Sequence, residues 1–185
     1  SALNRLDVYT RAGVRGMRKE FPPPLILGGD CAGDLVEVGN NVLGLRVGDR
    51  VVVNPKISCG QCASCLAGDD LCARSSMLGS SVDGSYAEYV VTPAANVCSI
   101  ADSVSYETAA AVPTTYLPVW NMLIRRAQLK PWQTVLVLSA SAGVGAAAIQ
   151  VAKDIIGARV ITTTSTAEKA AKARETGADE VINYK

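Results

Sequence analysis

Hydrophobic periodicity changes character along the chain. From residue 134 onward short apolar or β-branched runs at 135–138, 159–163 and 180–183 alternate with stretches of helical length at 143–156 and 166–176. That order predicts a βαβαβ unit with a parallel sheet. Its punctuation agrees, with Gly157 and Gly177 where helix C-terminal glycines belong and Ser165 and Glu168 spaced as a capping box for the second helix. Residues 25–100 read instead as short strands and turns: Val36-Glu-Val38, a turn at Gly48-Asp49, Arg50-Val-Val-Val-Asn54, and Tyr86-Ala-Glu-Tyr-Val-Val91. Between the two regions, residues 108–126 predict linking helices that Pro113 and Pro118 break into pieces.

Residues 131–152 carry no charge and are long enough to raise the question of a membrane span. They divide into a β-rich segment at 134–138, a turn at 139–145 and a helix-like stretch at 146–152, which fits an α/β protein better. A hydrophobic content of 49% suffices for a packed core. A formal charge of +1, with neither sign in long runs, leaves no footprint for nucleic acid or an anionic membrane, so a small-molecule partner is expected. The start of the chain does not resemble a signal peptide, and the cytoplasm is the expected compartment. Histidine is absent, which removes the commonest general base and neutral metal ligand from any mechanism.

Four of the six cysteines fall within the fourteen residues Cys59-Gly-Gln-Cys62-Ala-Ser-Cys65-Leu-Ala-Gly-Asp-Asp-Leu-Cys72. Two-residue gaps let successive thiolates converge on one tetrahedral ion at about 2.3 Å. Disulfides are the alternative, disfavoured without a secretory context. Buried unliganded thiols fit poorly with a loop containing Gly60, Gly68, Asp69 and Asp70. Four thiolates fill the coordination sphere, so the expected zinc is structural. Cys31 and Cys98, standing apart, read as ordinary small core residues.

The segment 138–153 follows a strand and opens a helix, the setting in which backbone N–H groups meet a pyrophosphate. The positions of a G-x-G-x-x-G pattern read Ala140, Ala142 and Gly145, with Gly143 and Val144 between, and an ordinary βα turn without ligand is the alternative. About 20 residues on, where an NAD site offers a carboxylate to the ribose, the chain has Thr164, Ser165 and Thr166, with Lys169 a turn later. Hydroxyls, a helix N-terminus and a lysine suit a 2′-phosphate and favour NADP(H). A polar loop with a solvated lysine is the bland alternative.

Taken together, Asn4-Arg-Leu-Asp7, Leu27-Gly-Gly-Asp-Cys-Ala-Gly33 with Val36-Glu-Val-Gly39, Gly48-Asp-Arg-Val51, the cysteine lobe, Asp83-Gly-Ser-Tyr-Ala-Glu-Tyr-Val90, Ala142-Gly-Val-Gly145 and Gly177-Ala-Asp-Glu-Val-Ile-Asn-Tyr184 resemble the medium-chain dehydrogenase/reductase family, near its alcohol dehydrogenase-like and quinone oxidoreductase-like members. The resemblance implies an α/β chain with a β-rich GroES-like portion over 1–112, including a cysteine lobe at 55–75, followed by the first βαβαβ half of a Rossmann domain over 113–185. It implies a structural zinc, NADP(H), a small carbonyl, quinone or alcohol substrate, and a homodimer for the whole protein. Both ends look cut relative to the family, so an exposed sheet edge, apolar helix faces and poor solubility are expected.

The departures are informative. Where such alcohol dehydrogenases place a catalytic-zinc cysteine this chain has Asn4, where they have His-Glu it has Gly29-Asp30, and residues 109–116 contain neither Cys nor His. The resemblance therefore implies no catalytic zinc. Similar zinc-independent quinone oxidoreductases carry the asparagine, and the resemblance points to Asn4, Tyr9 and Thr115 as neutral groups near the nicotinamide. The cysteine lobe also departs, since the loop from Cys65 to Cys72 encloses six residues where the family usually has seven. Two rivals remain: a zinc alcohol dehydrogenase using a replacement ligand such as Asp30, and a zinc-stapled nucleotide-binding protein without catalysis.

Overall fold

The computed structural model describes residues 1–14, 25–68 and 71–185. They form two compact units, Ser1–Thr114 and Thr115–Lys185.

The first unit opens with α1 (Arg5–Ala12), which ends at Gly13 in the left-handed region (φ 62°). Three antiparallel strands follow, β1 (Cys31–Asp34), β2 (Arg50–Val53) and, later, β5 (Val97–Ser99), in the order β1-β2-β5. Between them in sequence lie β3 (Lys56–Ile57), the short helix α2 (Ala63–Leu66) and β4 (Ser76–Met77). β3 and β4 pair into a two-stranded ribbon that brackets the cysteine segment. Alternation along β2 turns Val51 and Val53 inward, and Val53 packs with Cys31 and Leu78.

Several expectations for this unit require correction. Residues 36–38 form no strand, because the β1–β2 ladder closes at the turn: Gly48 N–H donates to the Leu35 carbonyl at 2.8 Å and Leu35 N–H to Asp49 at 3.0 Å. Residues 86–91 form no strand either. Their pairing ends where Ser85 and Tyr86 donate to Gly28 and Leu27, and Val91 beyond it is 94% exposed. Cys31 is buried as expected, but Cys98 is exposed, since it sits opposite Val52 in register with the outward-facing residues of β2.

Helix α3 (Tyr106–Ala110) is capped by Ser105, whose hydroxyl accepts the Thr108 N–H. Helix α4 (Pro113–Trp120) then begins at a proline, where a missing N–H costs no hydrogen bond. Pro118 does not break it. The loss is confined to one i→i−4 bond, and the helix continues as a π-helical turn over Asn121–Arg126, with Ala127 N–H donating to Met122 at 2.9 Å.

The second unit is the βαβαβ arrangement expected from periodicity. Strands β6 (Thr134–Val137), β7 (Arg159–Thr164) and β8 (Glu180–Asn183) are parallel in the order β6-β7-β8. Helix α5 (Gly143–Gln150) extends as a π-helical stretch over Val151–Ile156 and ends on left-handed Gly157, while α6 (Ala167–Glu175) connects β7 to β8. Val137, Val160, Ile149, Val151 and Ala152 pack into one core with Val119. Burying such side chains is worth about 1.5–3 kcal/mol for each of the larger ones. The opposite sheet face keeps Leu136 and Ile182 exposed. The cap of α6 lies one residue later than expected: Thr166, not Ser165, accepts the Lys169 N–H at 3.2 Å, because the first helical residue is Ala167. No helix among the described residues is long and apolar enough to cross a membrane.

A charged clamp closes the last crossover. Asp179 accepts from Lys153 Nζ at 2.5 Å through one oxygen and from the Val160 N–H at 2.7 Å through the other. The lysine hydrogen bond, then the backbone one, holds the Asp179 carboxyl below its ordinary range. A group depressed in the folded state adds stability above its unfolded pKa and loses it as pH falls through the folded value. Asp179→Asn should therefore lower stability by about 1 kcal/mol at neutral pH. Urea midpoints followed from about pH 6 to about pH 2 should converge with wild type at the acid end, and parallel curves would remove this role.

Candidate functional site

The cysteine lobe is built by short-range geometry. Cys59 leaves β3, Gly60 turns the chain at φ 72°, Cys62 caps α2 and Cys65 lies within it. Gly68 turns it again at φ 70°, and Cys72 returns toward β4. Asp69 and Asp70, which argued for a polar loop, lie outside the described residues. The four sulfurs lie within 4.8 Å of one another, with Cys62 to Cys65 at 3.4 Å and Cys59 to Cys65 at 3.9 Å. A tetrahedron with bonds of about 2.3 Å has edges of about 3.8 Å, so the quartet fits one zinc ion. The shortened loop does not turn Cys72 away: its sulfur is in the cluster and accepts the Cys59 N–H at 3.4 Å. Crowding shows in the acidities. Backbone N–H groups of Gln61 and Cys62 pull the Cys59 thiol down to about 6, while the hydrogen bond with Cys62 pushes Cys65 up to about 11. Among the described residues, this quartet is the one group of three or more His, Cys, Asp or Glu side chains whose ligand atoms converge.

A second constellation gathers at the start of α1. Asn4 caps the helix, and its backbone N–H donates to Asp7 at 2.7 Å. Its side-chain Nδ2 donates to Asp30 Oδ2 at 2.9 Å, while Asp30 Oδ1 accepts from the Thr114 N–H at 3.2 Å and hydroxyl at 2.8 Å. Asp7 in turn accepts from Gly28 N–H and Tyr86 OH. Asp30 is 1% exposed and Asp7 4%. Burial raises the Asp30 pKa against the hydrogen bonds from Asn4 and Thr114, and burial with Asp7 pushes Tyr86 up to about 12. Asp7 thus fixes the local turn. Tyr9 lies half-buried on the same helix. No local pattern marks Thr114 or Tyr86 for this cluster, because their partners are 84 and 79 residues away.

The third constellation is the carboxyl end of the parallel sheet. Ser139 follows β6 with φ 65°, a left-handed conformation more usual for glycine, and its N–H donates to the Thr163 hydroxyl at 3.2 Å. Sequence reasoning placed the special positions at 140, 142 and 145 and missed this one. Ala140 is buried, its N–H donating to the Thr163 carbonyl at 3.3 Å. Ala142 caps α5 without a side-chain acceptor, so the first-turn N–H groups of Gly143, Val144 and Gly145 have no capping side chain. A Cβ on Gly145 would stand 2.2 Å from the Ser139 carbonyl oxygen; one on Gly143 would stand 3.0 Å from Thr115 Cγ2. At the end of the neighbouring strand Thr164 is buried, with its hydroxyl 3.5 Å from the Thr166 carbonyl, Ser165 is half-buried and Lys169 is exposed. The sheet therefore brings 139–145 and 163–169 to one edge. Asn4 and Tyr9 belong to the first unit and Thr115 to the second.

These features agree with the similarities to known proteins. The alcohol dehydrogenase GroES-like domain family matches residues 1–102, and the zinc-binding dehydrogenase family matches residues 143–185. A NAD-dependent alcohol dehydrogenase of Saccharolobus solfataricus is 37% identical over 183 residues, 96% of this chain and 52% of that protein. A crystal structure of a NAD-dependent alcohol dehydrogenase superposes with a TM-score of 0.91 at 46% identity, covering 100% of this chain and 53% of that one. The cobalt- and zinc-bound thermostable alcohol dehydrogenase from Pyrobaculum aerophilum gives 0.86 at 34% identity, covering 99% and 55%. The chain spans about half the length of these relatives. With a GroES-like family match over more than half its residues and a Rossmann-type βαβαβ unit after it, the chain belongs to the medium-chain dehydrogenase/reductase family.

Proposed function

We propose that this chain serves an oxidoreductase that moves a hydride between a nicotinamide nucleotide and a small carbonyl, quinone or enone, with a structural zinc in the cysteine lobe and no catalytic zinc. The observation that carries the reading is the uncapped start of α5 at the carboxyl end of a parallel sheet, closed too tightly at Gly145 to admit any side chain. Residues 113–185 are proposed as the nucleotide-binding half and 1–112 as the substrate-side portion.

Bound nucleotide would supply the hydride. The N–H groups of Gly143, Val144 and Gly145 would receive its pyrophosphate, with Ala140 and Ala142 shaping the turn. Cys59, Cys62, Cys65 and Cys72 would hold zinc and rigidify the lobe. Asn4 gives one Nδ2 hydrogen to Asp30, which leaves the other to offer developing negative charge, and Tyr9 and Thr115 are proposed as further neutral donors. Asp30 has both oxygens engaged by Asn4 and Thr114, which supports a positioning role for it over that of a replacement zinc ligand.

For the cofactor, Thr164, Ser165 and Lys169 support NADP(H), because the end of β7 carries no carboxylate to repel a 2′-phosphate. NADH is the second reading, favoured by the names of the relatives above. Thr164→Asp is expected to shift the ratio of dissociation constants toward NADH by about tenfold, ~1.4 kcal/mol of discrimination. Fluorescence titration with NADPH and NADH checks this; an unchanged ratio removes the basis for NADP(H). Elemental analysis tests the metal assignment, since two tightly bound zinc ions per chain would overturn it.

A further inference from the structure

Strand β7 ends in consecutive threonines whose hydroxyls have different tasks. Thr162 is fully buried and donates to the Val137 carbonyl at 2.7 Å, inside the sheet. Thr163, half-buried on the opposite face, reaches past the last pair of the ladder. Parallel strands exchange evenly spaced hydrogen bonds, and here Arg159 N–H donates to the Gln133 carbonyl at the start of β7. Continued along the register that pairs Val137 with Thr162, the ladder would next bring Ser139 N–H to the Thr163 carbonyl. Instead that carbonyl takes Ala140 N–H at 3.3 Å, and the Thr163 hydroxyl takes the displaced Ser139 N–H at 3.2 Å. One residue thus holds two consecutive amides where Ser139 turns the chain at φ 65°.

We infer that Thr163 is a positioning residue for nucleotide binding: its hydroxyl keeps Ser139 out of the ladder and so holds the carbonyl on which the start of α5 is seated. The inference rests on the nucleotide reading proposed above. The Ser139 carbonyl accepts Ala142 N–H at 3.1 Å, and its oxygen would stand 2.2 Å from a Cβ on Gly145. A left-handed conformation is costly for serine and persists only while its surroundings hold it. Without the hydroxyl, Ser139 N–H turns to water or competes with Ala140 for the one Thr163 carbonyl, and the turn loses its definition. The N–H groups of Gly143, Val144 and Gly145 then shift from where a pyrophosphate would meet them. A ligand feels that shift more than the fold does, because Ser139 is exposed and water can satisfy its N–H.

The test is fluorescence titration of the intact chain with NADPH and with NADH. Thr163→Val, nearly the same in shape, should weaken both by about tenfold, the upper end for one hydrogen bond. The ratio between them should hold, since the pyrophosphate is common to both. Thr163→Ser keeps the hydroxyl and should stay within about threefold of wild type. Thr162→Val removes the buried hydroxyl next door, and should lower the urea midpoint yet leave both affinities within about threefold. Ser139→Gly offers a second route, because glycine holds a positive φ without strain: adding Thr163→Val to it should cost about threefold or less. If wild type binds nucleotide and Thr163→Val binds as tightly, the role of Thr163 falls and the nucleotide reading stands. The role falls equally if the loss is confined to one nucleotide, persists in Thr163→Ser, is matched by Thr162→Val, or is as large in the Ser139→Gly background. If wild type binds neither nucleotide, both fall.

Discussion

Cys62→Ser is expected to strip the chain of stoichiometric zinc and to unfold the cysteine lobe. Cys62 caps α2 with its sulfur 3.4 Å from Cys65, so it is both a ligand and the point where the loop turns into the helix. Structural zinc binding in small domains is worth about 10–16 kcal/mol, shared among four ligands. Losing one thiolate should therefore weaken affinity by about a hundredfold to a thousandfold. Serine keeps the size and the backbone preference of the cap, so a steric explanation is removed. The lobe has little else to hold it, since α2 buries no residue and β3 and β4 are two residues each. Elemental analysis should find one zinc per wild-type chain and almost none in the variant, with proteolysis in the variant concentrating in the lobe. Equal metal content in both proteins would sink the four-ligand assignment. A wild type with no zinc and fewer than six reactive thiols when denatured would favour disulfides instead.

What could be read from sequence and what could not divide by the range of the forces involved. The βαβαβ order was legible because periodicity and glycine punctuation are local: β8 lies at Glu180–Asn183, where the pattern placed it. The convergence of four sulfurs was legible for the same reason, since their spacing alone brings them within reach. The failures came from partners distant in sequence. Residues 86–91 have strand composition, but Tyr89 and Val91 remain exposed and unpaired in a ladder, because strand formation needs a neighbour as well as a propensity. Residue type alone points Cys98 to the core, and its register opposite Val52 puts it outside. The network of Asn4, Tyr86 and Thr114 around the buried carboxylates of Asp7 and Asp30 joins four separate segments, and only Asn4 and Asp7 are neighbours in sequence. That Asn4, Gly29-Asp30 and residues 109–116 offer neither Cys nor His was visible in the sequence. That Asn4 donates to Asp30, whose other oxygen is held by Thr114, required the fold.

Gly145→Ala should damage both the fold and nucleotide binding, and Gly143→Ala should do little to the first. Both glycines lie in the first turn of α5, and by helix propensity alone alanine would favour the helix at either place. The surroundings separate them. At Gly145 the added Cβ meets a backbone carbonyl oxygen, Ser139 O, at 2.2 Å, and the Ser139 carbonyl carbon at 3.0 Å. Ser139 has no freedom to retreat: it already holds φ 65°, and its N–H is tied to Thr163 on the adjacent strand. The helix must then move off the turn, at a cost of about 3 kcal/mol. At Gly143 the nearest atom is a side-chain methyl of Thr115 at 3.0 Å, which can yield by a few tenths of an ångström, so the expected change is within about 1 kcal/mol. Urea unfolding measures this contrast. Nucleotide titration then measures its consequence, because the N–H groups proposed to receive the pyrophosphate are displaced with the helix, and affinity should fall by at least about tenfold, ~1.4 kcal/mol, in Gly145→Ala. If both variants unfold alike, the close approach of Ser139 does not fix the turn. If Gly145→Ala loses stability yet binds nucleotide as wild type does, the ligand is not held at the start of α5.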